Sequence, residues 1–262
     1  MRSRTLLVAA ISVAVSGCSD RRIESNWAVS NPTIDGSLEE WRVASLDTLE
    51  DLQVSVGVRN DSSFLYLSGR IVESTLRRMV RQSGVTIWLD PEGGHRKDLQ
   101  FQFPAEPGVT ATLERGGFWE ALTTEQKANA RKQLDEMHRG VLVIDERSGN
   151  SVVYKPGNVE GIEGKIGEAP GFVSFEARIP MQIENYFPAY RGMMAGTRMR
   201  MCLEIGSSSA DGSRGTALNG APPAGEFGPP GRGGPPGGIP GGRSRMPEKR
   251  EIWLEVNLAR PQ

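Results

Sequence analysis

The sequence predicts a mainly β protein, an antiparallel β-sandwich with two short helical insertions. Three observations lead there. Apolar and polar residues alternate with period two in eight or more short segments. Clusters of Asn, Asp, Ser, Pro and Gly punctuate those segments. Helical spacing of apolar residues is confined to two short stretches. Strands buried on one face belong to antiparallel sheets, and many short ones pack as two layers.

The chain opens on a leader, residues 1–17. Arg2 and Arg4 give it a positive start, and Leu6 to Val15 form an apolar run too short to span a bilayer. It closes on Val15-Ser16-Gly17-Cys18, which resembles the lipobox of bacterial lipoproteins. That resemblance implies export, cleavage before Cys18 and lipid on its thiol. Several acyl chains at about 0.8 kcal/mol per buried CH₂ anchor a protein stably. Ser19 stands where an Asp would resemble an inner-membrane retention signal, so the resemblance points to the outer membrane. Residues 18–31 are polar and read as a tether, with a single sandwich domain over 32–260.

Strands follow in order. Leu52, Val54, Val56 and Val58 alternate with Gln53, Ser55 and Gly57. Asn60-Asp61-Ser62-Ser63 turns the chain into Phe64-Leu65-Tyr66-Leu67, a hairpin pattern. Val85, Ile87 and Leu89 alternate with Thr86, Trp88 and Asp90; Pro91-Glu92-Gly93-Gly94 turns again. Leu99, Phe101 and Phe103 form the next strand, then 141–144, 151–154 and 172–179. Met199, Met201, Leu203 and Ile205 alternate with Arg200, Cys202 and Glu204, and Ile252, Leu254, Val256 and Leu258 with Trp253, Glu255 and Asn257.

The two helical stretches are 73–82, with Leu76, Met79 and Val80 on one face, and 124–138. Thr123 and Gln126 make a capping box for the second, and Gly140 can end it. Residues 206–246 hold 13 Gly and 7 Pro, which marks a foreign stretch in an otherwise ordinary composition. It lies between two strong strands, so it reads as a disordered loop inside the domain, not a linker. A formal net charge of −1 carries no basic excess for nucleic acid. Two Cys and two His are few for a metal or redox enzyme, which argues against a zinc site of Cys and His. If Cys18 carries lipid, Cys202 has no intramolecular disulfide partner.

The most specific motif in the body is Pro32-Thr33-Ile34-Asp35-Gly36-Ser37-Leu38-Glu39-Glu40-Trp41. It resembles the opening of family 9 carbohydrate-binding modules and their DOMON-like relatives. Asn60-Asp61 before Phe64-Leu65-Tyr66, Val85 to Pro91, Phe175-Glu176-Ala177-Arg178-Ile179-Pro180 and Gly196-Thr197-Arg198 match in the right order. The resemblance implies an immunoglobulin-like sandwich whose relatives bind sugars or haem. Physically, Asp35-Gly36 is a tight turn, and Leu38 and Trp41 are one helical turn apart, so both should plug the sandwich end.

Candidate sites follow from phase. Trp88 and Trp253 are out of phase with their strands' aliphatics and can face outward, where an indole makes a stacking platform for sugar rings. Packing under the inserted helix or a loop is the competing reading. Asp90, Glu92 and Asp98 flank a Gly-Gly turn and have the chemistry for calcium, though not the spacing of an EF-hand loop. No other cofactor is implied. A haem site needs an axial ligand such as His or Met; His95 and His138 are the sole imidazoles, and the phase of Met199 and Met201 assigns those two to the core. No nucleophile elbow, phosphate loop or metalloprotease helix is present. The expected function is a non-catalytic, lipid-anchored envelope binding protein with carbohydrate as candidate ligand. The alternative is a structural or assembly lipoprotein that meets a protein partner through the 124–138 helix or the 206–246 loop.

Overall fold

The structure, a computed structural model, describes residues 21–42, 46–105, 122–206 and 249–261. The leader, Cys18 and all but the first residue of the 206–246 loop lie outside the described residues. Among the described residues thirteen strands form two sheets, a sandwich of the kind the alternation predicts. They are β1 (Arg21–Glu24), β2 (Asn26–Trp27), β3 (Asp47–Leu49), β4 (Val54–Asn60), β5 (Phe64–Ile71), β6 (Val85–Asp90), β7 (Leu99–Phe103), β8 (Val141–Asp145), β9 (Asn150–Tyr154), β10 (Glu163–Ala169), β11 (Phe172–Pro180), β12 (Arg198–Ile205) and β13 (Arg250–Asn257). The first sheet runs β1-β13-β12-β6-β7-β8-β9. The second runs β10-β11-β5-β4-β2, with β3 also paired to β4.

The aliphatic phase of each predicted strand fills the space between the sheets. Val54, Val56, Val58, Ile87, Leu89, Phe101, Met201, Leu203 and Leu254 are all buried in one core. Met199 joins them, as expected of core methionines. The two helices stand where their spacing predicts. In α1 (Ser74–Ser83) Leu76, Met79 and Val80 are buried, and the Glu73 carboxylate caps it by accepting from Thr75 N and Leu76 N at 2.9 and 2.6 Å. Gly84 ends it at φ 73°, a left-handed backbone that glycine reaches without cost. For α2 (Thr124–Arg139) the capping box is complete: Gln126 N donates to Thr123 Oγ1 at 3.2 Å, and Thr123 N to Gln126 Oε1 at 2.9 Å.

Two expectations change. The stretch 18–31 is not a free tether throughout. Arg21–Glu24 pairs in parallel with Leu254–Asn257 in the first sheet, and Asn26–Trp27 pairs in parallel with Arg59–Asn60 in the second. The chain crosses between sheets at buried Ser25, whose hydroxyl donates to Asn60 Oδ1 at 2.6 Å. The same oxygen accepts from Ala259 N at 2.8 Å, and Asn60 Nδ2 donates to Ala259 O at 3.1 Å. One buried amide therefore ties the start of the fold to its end.

The second change concerns Leu38 and Trp41. They do not plug the sandwich end; they cover the outer face of the second sheet. There they form a small core of their own with Ala28, Leu46 and Tyr66. The reason is the small residues on that face: Gly57 leaves no room for a Cβ beside Leu46 and Trp41, and Ser68 is its neighbour. At the centre lies Glu176, fully buried on β11. Trp41 Nε1 donates to its Oε1 at 2.6 Å, and Gly36 N and Asp35 N donate to its Oε2 at 2.7 and 3.0 Å. Ser174 Oγ donates to Gly36 O at 2.6 Å. The Asp-Gly-to-Trp motif is thus a clip that closes on one carboxylate, and its role is to hold the fold.

Candidate functional site

The outer face of the first sheet is the polar phase of its strands. Register places Trp253 on β13, Cys202 on β12, Trp88 on β6 and Gln100 on β7 in one row across four strands. With neighbouring strands about 4.8 Å apart, the two tryptophans stand roughly 10 Å from each other with a thiol between them. Both indoles are half-buried. They are neither free platforms nor core residues.

What half-covers them is the β6–β7 loop, residues 91–98. The His95 ring meets Trp253 edge-on at 4.9 Å between centroids. Lys97 Nζ lies 5.5 Å above the Trp88 ring. The loop is fastened by buried Asp90, whose carboxylate accepts from Glu92 N at 3.1 Å and Arg96 N at 3.0 Å. Gly94 packs so closely on Asp90 that a side chain there would collide with its carboxylate. The Arg96 guanidinium sits among the carboxylates of Asp90, Glu92 and Asp98, at 3.6 Å from the first and 3.7 Å from the third. It holds the ground that the sequence reading offered to calcium. Among the described residues no group of three or more His, Cys, Asp or Glu is placed to hold a metal.

The next row carries charge that cancels. Glu204 and Glu251 face each other across β12 and β13. Lys97 Nζ lies 2.7 Å from a carboxylate oxygen of each, and Lys249 reaches Glu251 at 3.0 Å. Burial alone would lower the Lys97 pKa, but the two carboxylates outweigh it and hold the ammonium above its ordinary value. Burial would raise Glu251, yet hydrogen bonds from Lys97 and Lys249 hold it below the ordinary range. Trp88 Nε1 donates to Glu204 Oε2 at 3.2 Å, so the network also fixes one indole. On the other side of the row, Gln100 Nε2 donates to Gln102 Oε1 at 3.1 Å.

Two titratable groups of this face are held away from reactivity at neutral pH. Glu251 is displaced in the direction opposite to a general acid. Burial pushes the Cys202 thiol up to about 12, so its nucleophilic thiolate is scarce at neutral pH. Met199 and Met201 point into the core, away from this face. His138 falls on α2, beyond the residues whose side chains are described.

The sequence marks Trp88, Trp253 and His95 as candidates but not Lys97, Glu204, Glu251 or Gln100. Strand phase does place Glu204 and Glu251 on the outer face. Lys97 sits in a loop with no period, and the row itself depends on register between strands distant in sequence.

No protein-family model and no curated protein sequence matches the chain. Solved structures similar to it include a family 9 carbohydrate binding module from Caldicellulosiruptor kristjanssonii in complex with glucose. That match has 13% identity and a TM-score of 0.35, and covers 73% of this chain and 81% of that one. The same organism's module in complex with cellotriose matches at 14% identity and TM-score 0.34, over 72% of this chain and 79% of that one. A Bacteroides uniformis protein matches at 11% identity and TM-score 0.34, over 71% and 84%. Identity this low transfers no side-chain role, so the site rests on this chain's own residues.

Proposed function

We propose that the protein is a non-catalytic, lipid-anchored binding protein of the bacterial cell envelope, and that its ligand is a carbohydrate held on the Trp88–Trp253 face. The observation that supports this most is the shared row of the two indoles beside a charge-compensated network. Sugars present apolar C–H faces and neutral hydroxyls at once. Half-exposed indoles offer π-faces to the first. Gln102, Glu204 and Glu251 offer polar groups to the second. Two lysines offset two carboxylates, which favours an uncharged ligand over an anion or cation.

Calorimetry or a glycan array with the purified domain tests the site. Trp88→Ala and Trp253→Ala should each weaken binding at least ten-fold, about the 1.4 kcal/mol scale of one stacked ring. Equal affinity in wild type and both variants would remove this face from the ligand's path.

The anchor is read from residues 1–18. Lipid on Cys18 places the domain on a membrane surface, and Ser19 favours the outer membrane. Cys18→Ala should abolish incorporation of labelled fatty acid in cells. Label retained by that variant would refute the anchor.

A further inference from the structure

We propose that the arginine-bearing face of α1 docks on the phosphate headgroups of the membrane that holds the Cys18 lipid. This rests on the anchor reading above and adds an orientation to it.

The first support is the length of the leash. Arg21, the first residue of β1, is the third residue after Cys18. Consecutive Cα atoms are about 3.8 Å apart, so the lipidated residue lies within roughly 11 Å of Arg21. Arg21 is fixed in the sheet and also by an ion pair to Asp51 at 2.6 Å. A body tied this closely cannot tumble freely above the bilayer.

The second support is the direction of entry. β1 runs parallel to β13, so the chain arrives from the end of the sandwich where β13 begins at Arg250. Arg250 pairs with Ile205, and Ile205 with Val85, the residue that follows α1 and Gly84. The Met79 side chain packs on Gly206, itself beside Lys249. From Arg21, opposite Leu254, the direction of β1 thus points back toward the end that α1 caps.

The third support is charge. Between Ser74 and Ser83 the helix has no Asp or Glu and carries Arg77, Arg78 and Arg81. At 100° per residue exposed Arg78 and Arg81 lie opposite the buried face of Leu76, Met79 and Val80, and half-buried Arg77 flanks it. Glu73 is engaged as the helix cap. Arg81 pairs with Glu168 only on the surface, where such pairs contribute little and can exchange for a phosphate. Guanidinium groups match phosphate oxygens in geometry as well as sign.

The test uses the full acylated protein in vesicles of phosphatidylcholine with phosphatidylglycerol and a small fraction of nickel-chelating lipid. Spin labels go on Gln82→Cys, exposed on α1, or Asn185→Cys, exposed at the opposite end. Native Cys202 is buried and should not label. Flotation of the protein with vesicles reports the anchor, and relaxation of the label by nickel reports the distance to the bilayer. We expect several-fold stronger relaxation at position 82 than at 185. Replacing Arg77 and Arg78 by Gln should lower the docked population roughly five-fold for each charge. A flexible insertion between Asp20 and Arg21 should lower it without touching the fold.

If flotation fails, the anchor is wrong and the docking falls with it. If the protein floats but both labels relax equally, the anchor stands and the docking is wrong. If position 82 is shielded in cells but not near lipid in vesicles, a protein covers α1 and the lipid proposal is overturned.

Discussion

Replacing Glu176 with Ala should cost roughly 4 kcal/mol of stability and lower Tm by about 10 °C for a domain of this size. Three donors converge on this carboxylate: the Trp41 indole N–H and the backbone N–H groups of Gly36 and Asp35. All three would face a cavity without an acceptor. The effect also has a pH signature. Burial pushes the Glu176 carboxyl up to about 7, with the three N–H donors pulling it back. Its folded pKa is above its unfolded value near 4.5. The carboxyl therefore contributes its full stability below about 4.5 and loses it as pH rises through about 7. The loss amounts to about 2 kcal/mol between pH 5 and pH 8. Urea denaturation should show a larger penalty for Glu176→Ala at pH 5 than at pH 8. Glu176→Gln should flatten that part of the wild-type pH dependence. A penalty independent of pH would mean the carboxyl does not titrate in this range.

Gly167→Ala should destabilise the same clip from its other side, by about 3 kcal/mol. A Cβ on Gly167 would stand 2.0 Å from Gly36 O and 2.6 Å from Ser174 Oγ. Gly36 O is backbone, held by the Ser174 hydroxyl and by a turn at φ 86° that glycine alone adopts easily. Neither partner can swing aside, so the turn must lift from β10 and carry Trp41 off Glu176. Intrinsic fluorescence should show Trp41 becoming wetter in the folded variant. An unchanged denaturation midpoint would show that the approach of Gly36 to Gly167 is not needed.

The strands legible in the sequence are those with one wet face. β6, β12 and β13 alternate cleanly because their outer phase carries Trp88, Arg200, Glu204 and Trp253 while their inner phase is aliphatic. β1 and β10 were not legible. Each offers one aliphatic anchor, Ile23 or Ile166, too few for a period to show. The second face of β4 and β5 was hidden for another reason. It is buried by Ala28, Leu38, Trp41 and Leu46, and Gly57 and Ser68 do not look apolar in sequence although they form the floor beneath Trp41. The clip motif was visible as a turn, but its acceptor lies 140 residues later on β11. The candidate site divides similarly. Outward phase marked Trp88 and Trp253, whereas their alignment beside Cys202 depends on register, and the Lys97 bridge on the course of a loop.

The crossing of the chain at Ser25 has a mechanical consequence. Because β1 lies parallel to β13, tension applied at the N-terminus acts along the strand axis. The hydrogen bonds joining Arg21–Glu24 to Leu254–Asn257 are then loaded in shear and must fail together, not one at a time as in peeling. Behind them, Asn60 grips both Ser25 and Ala259, so a load that passes β1 is shared between the two sheets. The first described strand is thus held as by a clamp.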